Sequence, residues 1–165
     1  MMGNGTKPIR TQIFLVNFLT LAQERQMIDR SLLNSAQVIA GVPVVMETLQ
    51  SGAPTPAFTD YLDGAASGVS GVDVAVVADA RGIQLYAPEP GRVGKPYSGQ
   101  AQEALLDGAQ AFNSGDAGGY GAERCAYAPV LSPEGGLLGF VMVGVNAPTI
   151  SPTLWSTVFY FAMVA

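Results

Sequence analysis

Apolar positions Ile28, Leu32, Ala36 and Ile39 recur at three- and four-residue spacing, with Glu24, Asp29 and Arg30 between or beside them. That period marks one face of an amphipathic helix. Joined to the apolar run Ile13 to Ala22, it predicts one long helix from about Thr11 to Ala40, ended by Gly41 and Pro43. A second short helix is expected over Val44 to Leu49, stopping at Ser51-Gly52. Pro54 and Pro56 open a third, about Ala57 to Ala66, which fades into the Gly/Ser-rich stretch Gly64 to Gly71.

The pattern then changes to that of strands. Val72 to Ala78 reads as a buried β run, Asp79-Ala-Arg-Gly82 as a turn, and Ile83 to Ala87 as a second strand, hence an antiparallel hairpin. Pro88 to Ser98 is a Pro/Gly-rich loop, Gln100 to Leu106 a short helix, and Ala109 to Ser114 a third strand. After the glycine-rich turn Gly115 to Gly121, Arg124 to Leu131 and Leu137 to Asn146 form another hairpin around Ser132 to Gly136. Helices first and five mostly antiparallel strands afterwards predict an α+β architecture.

Composition narrows the function classes. The chain has 165 residues, the size of one domain, and its 48% hydrophobic content supports a real core. Net charge is −5, and no Lys or Arg occurs from Ser31 to Ala80, so the basic stripe of a nucleic-acid binder is missing. There is no histidine, which removes the commonest general base and metal ligand, and also the phospho-accepting residue of a histidine kinase core. The single cysteine, Cys125, cannot form an internal disulfide or a multi-thiolate metal site; its plainer reading is a small buried apolar residue. No Gly-x-Gly-x-x-Gly or Walker pattern occurs, so no nucleotide cofactor is expected, and no metal site either. Asp73, Asp79 and Asp116 read as strand-end and turn residues rather than acid–base pairs. No catalytic constellation stands out, and the chain is read as a non-enzyme.

The ends have a different character. Lys7 and Arg10 precede the apolar run Ile13 to Ala22, as basic residues do on the cytoplasmic flank of a membrane helix. That run has about half of the ~20 residues needed to span a bilayer. A shortened first span, a signal-like segment and an amphipathic helix all fit it. At the other end, Leu154 to Ala165 is uncharged and carries Trp155 and Tyr160 early, like the entrance of a second membrane helix; a C-terminal strand or helix packed on the core is the alternative. The chain therefore divides into a flank at 1–22, a folded domain at 23–147 and the start of a span at 148–165.

The stretch Val74 to Tyr97, with its strand, Asp79-Ala-Arg-Gly82 turn, second strand and Pro88-Glu-Pro-Gly-Arg-Val-Gly-Lys-Pro-Tyr97, resembles the extracytoplasmic sensor domains of the citrate and C4-dicarboxylate sensor histidine kinases. A second match is Ala126-Tyr-Ala-Pro-Val130 followed by Gly139-Phe-Val-Met-Val-Gly-Val145. The resemblance implies a PAS-like, or single Cache, fold: a five-stranded antiparallel sheet with a long N-terminal helix and short covering helices, standing outside the cytoplasm between two membrane helices. It implies a small-molecule ligand, a homodimer formed through the long helix, and signalling to a kinase. A chemotaxis receptor or cyclic-nucleotide enzyme carrying the same module, or a ligand-free dimerisation module, are the alternatives.

Departures from the family pattern bear on the ligand. The family's carboxylate-binding Arg and His on the second strand correspond to Gln84 and Ala87, its Arg on the fourth strand to Cys125, and a further basic residue to Tyr127. A di- or tricarboxylate is therefore not the expected ligand. Strand alternation predicts that Gln84 and Tyr86 share a face, as do Cys125 and Tyr127, and Phe140 and Met142, while Arg124 points away from Cys125. These six residues, with Lys95 and Tyr97 from the covering loop and Arg124 in case a bulge turns it inward, are the candidate ligand contacts. The same aromatics would equally serve as core.

Overall fold

A computed structural model of the chain describes residues 8–68, 72–99, 105 and 110–146. Helix α1 spans Pro8–Ala40, α2 Pro43–Ser51 and α3 Pro56–Gly68; strands follow as β1 Val74–Asp79, β2 Gln84–Tyr86, β3 Phe112–Ser114, β4 Arg124–Leu131 and β5 Leu137–Val145. The expected helix over Gln100 to Leu106 lies outside the described residues, apart from Leu105, which is helical and buried. The C-terminal apolar run lies wholly outside them. Among the described residues, no single helix is long and apolar enough to cross a membrane.

The helix boundaries follow from local chemistry. Val42 is extended (φ −78°, ψ 131°) because the ring of Pro43 disfavours a helical residue before it, and Pro43 then starts α2 where its missing N–H costs nothing. Gly52 closes α2 in the left-handed region, its N–H donating to the Thr48 carbonyl at 2.8 Å. At the start of α3 the Thr55 hydroxyl accepts the Phe58 N–H at 3.2 Å, a standard cap.

The five strands form one antiparallel sheet in the order β2-β1-β5-β4-β3, the α+β arrangement expected from the sequence. In the β1–β2 turn, Asp79 Oδ1 accepts the Arg81 N–H at 2.9 Å and the Ile83 N–H at 2.8 Å. Burial pushes this carboxyl up, but those bonds and the Arg81 guanidinium outweigh it and hold it below its ordinary value. The pairing of β1 with β2 is irregular at one step. Ala78 faces Gln84, yet Val77 faces Tyr86, so β2 carries one extra residue, Leu85, across a single step of β1.

Alternation gives the sheet two apolar faces. Ala75, Val77, Ala126, Ala128, Val130, Val141, Val143 and Val145 face the helices, where Leu32, Ala36 and Ile39 of α1, Val45 and Leu49 of α2, and Phe58 and Leu62 of α3 are buried. Val74, Val76, Ala78, Cys125, Tyr127, Phe140 and Met142 face the other way, under the loops that carry Tyr97, Leu105, Ala117 and Ala122.

Gly139 on β5 lies in tight contact with β1. A Cβ there would meet the Ala78 carbonyl oxygen at 2.2 Å and Leu49 Cδ2 at 2.9 Å. Gly139→Ala is expected to destabilise the fold by about 1–3 kcal/mol, since the nearest obstacle is backbone inside a ladder. Gly64 in α3 has nothing within 4 Å of such an atom, and Gly64→Ala is expected to stabilise by roughly 0.5–1 kcal/mol. Urea unfolding of the two variants measures both signs.

Candidate functional site

On the loop-covered face, two tyrosines and a glutamine are drawn together from three elements. Tyr127 comes from the middle of β4, Tyr97 from the loop after β2, and Gln84 from the start of β2. The Tyr97 and Tyr127 hydroxyl oxygens are 2.7 Å apart. Tyr127 donates its proton to the Asp116 carbonyl, so within the pair Tyr97 is the donor. Burial pushes both phenols well above their ordinary value, and both stay neutral. Phe140 packs edge-on against Tyr97 at 5.4 Å between centroids, and Phe112 stacks on Tyr127 at 5.2 Å.

Gln84 is 2% exposed and fully engaged. Its Nε2 donates to the Pro96 carbonyl at 3.2 Å and, more weakly, to that of Lys95 at 3.4 Å, while its Oε1 accepts from the Tyr120 hydroxyl. Its backbone is tied to the same loop, with N–H donating to the Lys95 carbonyl at 3.0 Å and carbonyl accepting the Gly94 N–H at 2.8 Å. Cys125 points its thiol at the Ser114 and Asp116 carbonyls, each 3.2 Å away, and burial pushes that thiol up. The side chains contributed by β2, β4, β5 and Tyr97 are thus uncharged: phenols, an amide, a protonated thiol and apolar walls.

Of the nine residues expected to line a site, Gln84, Tyr97, Cys125, Tyr127, Phe140 and Met142 converge here. Three do not. Tyr86 lies in the helix layer, against Phe58 and with its hydroxyl donating to Asp63 Oδ1 at 2.7 Å. Simple alternation put it beside Gln84; the extra residue in β2 turns the two side chains to opposite faces. Burial, and the Asp63 carboxylate that accepts its proton, raise the Tyr86 phenol above its ordinary value. Arg124 also faces the helices, with Nε 2.7 Å from Asp29 Oδ1 of α1 and Nη2 on the other carboxylate oxygen. No bulge turns it inward. The Lys95 residue is exposed, and what it contributes to the site is its carbonyl.

Tyr120 and Arg92 belong to the site although no motif picked out the tyrosine. The one signal for it was an aromatic set between glycines in Gly118-Gly-Tyr-Gly121. An open groove of about 550 Å³ lies in the helix layer, bordered by Ala40, Met46 and Pro129, and holds none of the expected contacts.

The Tyr127 hydroxyl is the hub, so Tyr127→Phe is expected to leave the Tyr97 hydroxyl without its acceptor and the Asp116 carbonyl with the weaker Cys125 thiol as donor, and to destabilise by about 1–3 kcal/mol. Equilibrium denaturation gives the number. In the same samples, reaction of the Cys125 thiol with a disulfide reagent should be slow in folded protein and fast in denaturant.

Comparison with known proteins gives matches of three kinds. The family model for the single Cache domain 3 matches residues 20–158. The sensor histidine kinase DpiB of Escherichia coli (strain K12) is 33% identical over 72 residues, which are 44% of this chain and 13% of that kinase. The chain thus matches only a small part of that relative's length. Among solved structures, the E. coli DcuS sensor domain superposes with a TM-score of 0.67 at 17% identity, over 79% of this chain and 96% of that one. An extracellular ligand binding receptor from Desulfohalobium retbaense gives 0.62 at 16% identity, over 85% and 26%. These likenesses establish the fold.

Proposed function

The chain belongs to the single Cache domain 3 family, and from that premise we propose that it is the extracytoplasmic ligand-sensing domain of a membrane-bound sensor histidine kinase, with a neutral solute as its ligand. The observation that carries the ligand class is the uncharged lining around Gln84, Tyr97 and Tyr127. The pocket-facing positions of β1, β4 and β5 (Val74, Val76 and Ala78; Cys125 and Tyr127; Phe140 and Met142) include no cation. Arg124 is committed to Asp29 on the opposite face, and Arg92 to Glu89 at 2.9 Å. The kinase activity itself, the membrane attachment through segments flanking the domain, and the regulator it addresses are assigned to the receptor as a whole.

In this reading the solute enters between the sheet and the loops that carry Tyr97 and Tyr120. The site is filled by the protein's own side chains, so binding requires an open form, and the ligand shifts the balance only by its preference for that form. The loop's contacts run on to β3 and β4, and from there to α1. The domain acts as a homodimer. Leu19, Met27 and Val38 of α1, 54%, 68% and 65% exposed, lie on the side of the helix opposite its buried face of Leu32, Ala36 and Ile39.

Two expected outcomes test this reading. Citrate, malate and fumarate at millimolar concentration should leave the melting temperature unchanged, because each charge-assisted bond that Gln84, Ala87 and Cys125 cannot make is worth on the order of 1.5–3 kcal/mol. A ligand present at about 100 times its dissociation constant would add about 2.7 kcal/mol, a shift of a few degrees. A carboxylate shift of that size, abolished by Arg92→Ala, would refute the neutral-ligand assignment. Separately, Met27→Glu with Val38→Glu should convert a dimer to monomer in sedimentation equilibrium; a chain already monomeric before substitution rules the dimer out.

A further inference from the structure

Tyr120 sits in surroundings suited to a bound ligand. Its ring lies nearly parallel to that of Tyr97, 16° apart with centroids at 6.4 Å, and the Arg92 guanidinium carbon stands 4.3 Å from its centroid. Its hydroxyl donates to Gln84 Oε1. That oxygen is aimed at the ring because the other end of the amide is held by the Pro96 and Lys95 carbonyls. The half-buried ring thus occupies a slot with one aromatic wall, one guanidinium wall and a hydrogen-bond acceptor at its base.

The segment that delivers the ring is built differently from its surroundings. Gly118, Gly119 and Gly121 all hold positive φ, at 62°, 80° and 72°, a backbone that other residues adopt only under strain. Tyr120 itself is tied locally by one long bond, its N–H to the Ala117 carbonyl at 3.3 Å. The neighbouring glycines are held by the Asp116 carboxylate, which accepts the Gly118 N–H at 2.9 Å, by Ser98 Oγ donating to the Gly118 carbonyl at 2.7 Å, and by the Arg92 guanidinium donating to the Gly118 and Gly119 carbonyls at 3.4 and 3.1 Å. These bonds end on the glycine backbone, so they can persist when the Tyr120 ring gives up its hydroxyl bond to Gln84 and its place under the Arg92 guanidinium.

We propose that Tyr120 is an internal occupant of the ligand slot, and that the ligand which displaces it is a neutral hydroxylated aromatic ring. This rests on the reading of the Gln84–Tyr127 face as the ligand site. A flat electron-rich ring satisfies both walls by stacking and by attraction to the guanidinium. The buried Gln84 oxygen selects a ring with a hydroxyl, since a bare hydrocarbon would leave it without a donor. An anion is disfavoured, because it would set negative charge against that same oxygen while Glu89 already pairs with Arg92. Competition from Tyr120 lowers the apparent affinity by the fraction of time the slot stands open, which makes the loop the element that sets sensitivity.

The probe is p-cresol, the tyrosine side chain as a free molecule, titrated calorimetrically into the purified chain and its variants. Tyr120→Ala should bind it at least about tenfold more tightly than the parent, because the competing ring is gone. Tyr120→Phe, which keeps the ring but not its bond to Gln84, should fall between, and covers the case in which the alanine variant does not fold. Adding Gln84→Leu to either should weaken p-cresol by about tenfold while leaving toluene unchanged. Equal p-cresol affinity in parent and Tyr120 variants, or indifference to Gln84→Leu, overturns the proposal. If glycerol or acetamide raises the melting temperature in a Gln84-dependent way and p-cresol does not, the aromatic assignment falls and the face stands as a ligand site. If neither class binds, both fall.

Discussion

Strands β1 and β5, adjacent inside the sheet, have no side open to water. Five consecutive residues of β1 and the last seven of β5 are buried, and residues that alternate between faces can all be buried only if both faces are covered. One cover is made of helices, whose apolar stripes meet aliphatic side chains. The other is made of loops, which bring backbone polar groups with them and must satisfy those groups internally. That difference explains the chemistry of the second face: its phenols, amide and thiol are the partners for the Ser114, Asp116, Lys95 and Pro96 carbonyls. A polar lining follows from covering a sheet with loops, and the groups of the candidate site are ones the fold already needs.

How much of this was legible depends on the range of the interaction involved. Periodicity and turn residues act over a few positions, and among the described residues they located α1, α2 and α3, the five strands and the hairpins; β4 agrees to the residue, and β1 and β5 differ by one or two at their ends. Facing along β4 was also readable, because regular alternation holds from Arg124 to Val130 and sends Arg124 toward α1 and Cys125 away from it. It failed for Tyr86 because a bulge is set by how two strands twist against each other, and the three-residue strand β2 has no pattern of its own to announce one. Tyr120 was missed for a related reason. Its role comes from Gln84, thirty-six positions away, and glycine neighbours say only that the backbone turns there.

The two layers are joined at the β3–β4 edge by neighbouring residues that point opposite ways. On β3, Asn113 donates to the Asp29 carbonyl of α1 at 2.9 Å, while the carbonyl of the next residue, Ser114, accepts the Cys125 thiol. On β4, Arg124 holds the Asp29 side chain and Cys125 holds the loop. The same end of β4 pairs with the end of β5, where Glu123 N–H donates to the Val145 carbonyl and Asn146 N–H to Asp73. A rearrangement of the loop over the site therefore has covalent neighbours in contact with α1 and with the last residues of the sheet.

The attachment of α1 at Asp29 gives that helix the geometry of a lever. The described side chains from Leu19 to Met27 are all exposed, so this stretch of α1 stands clear of the body of the domain, and the helix continues from it to Pro8. At 1.5 Å per residue that arm is about 31 Å long. A tilt of about 5° at the Asp29 fulcrum displaces its far end by roughly 2.7 Å over such a length, several times the movement at the fulcrum's own contacts. Hydrogen-bond changes of a few tenths of an ångström beside the site are thereby converted to the scale of a helix displacement, with no strand required to slide.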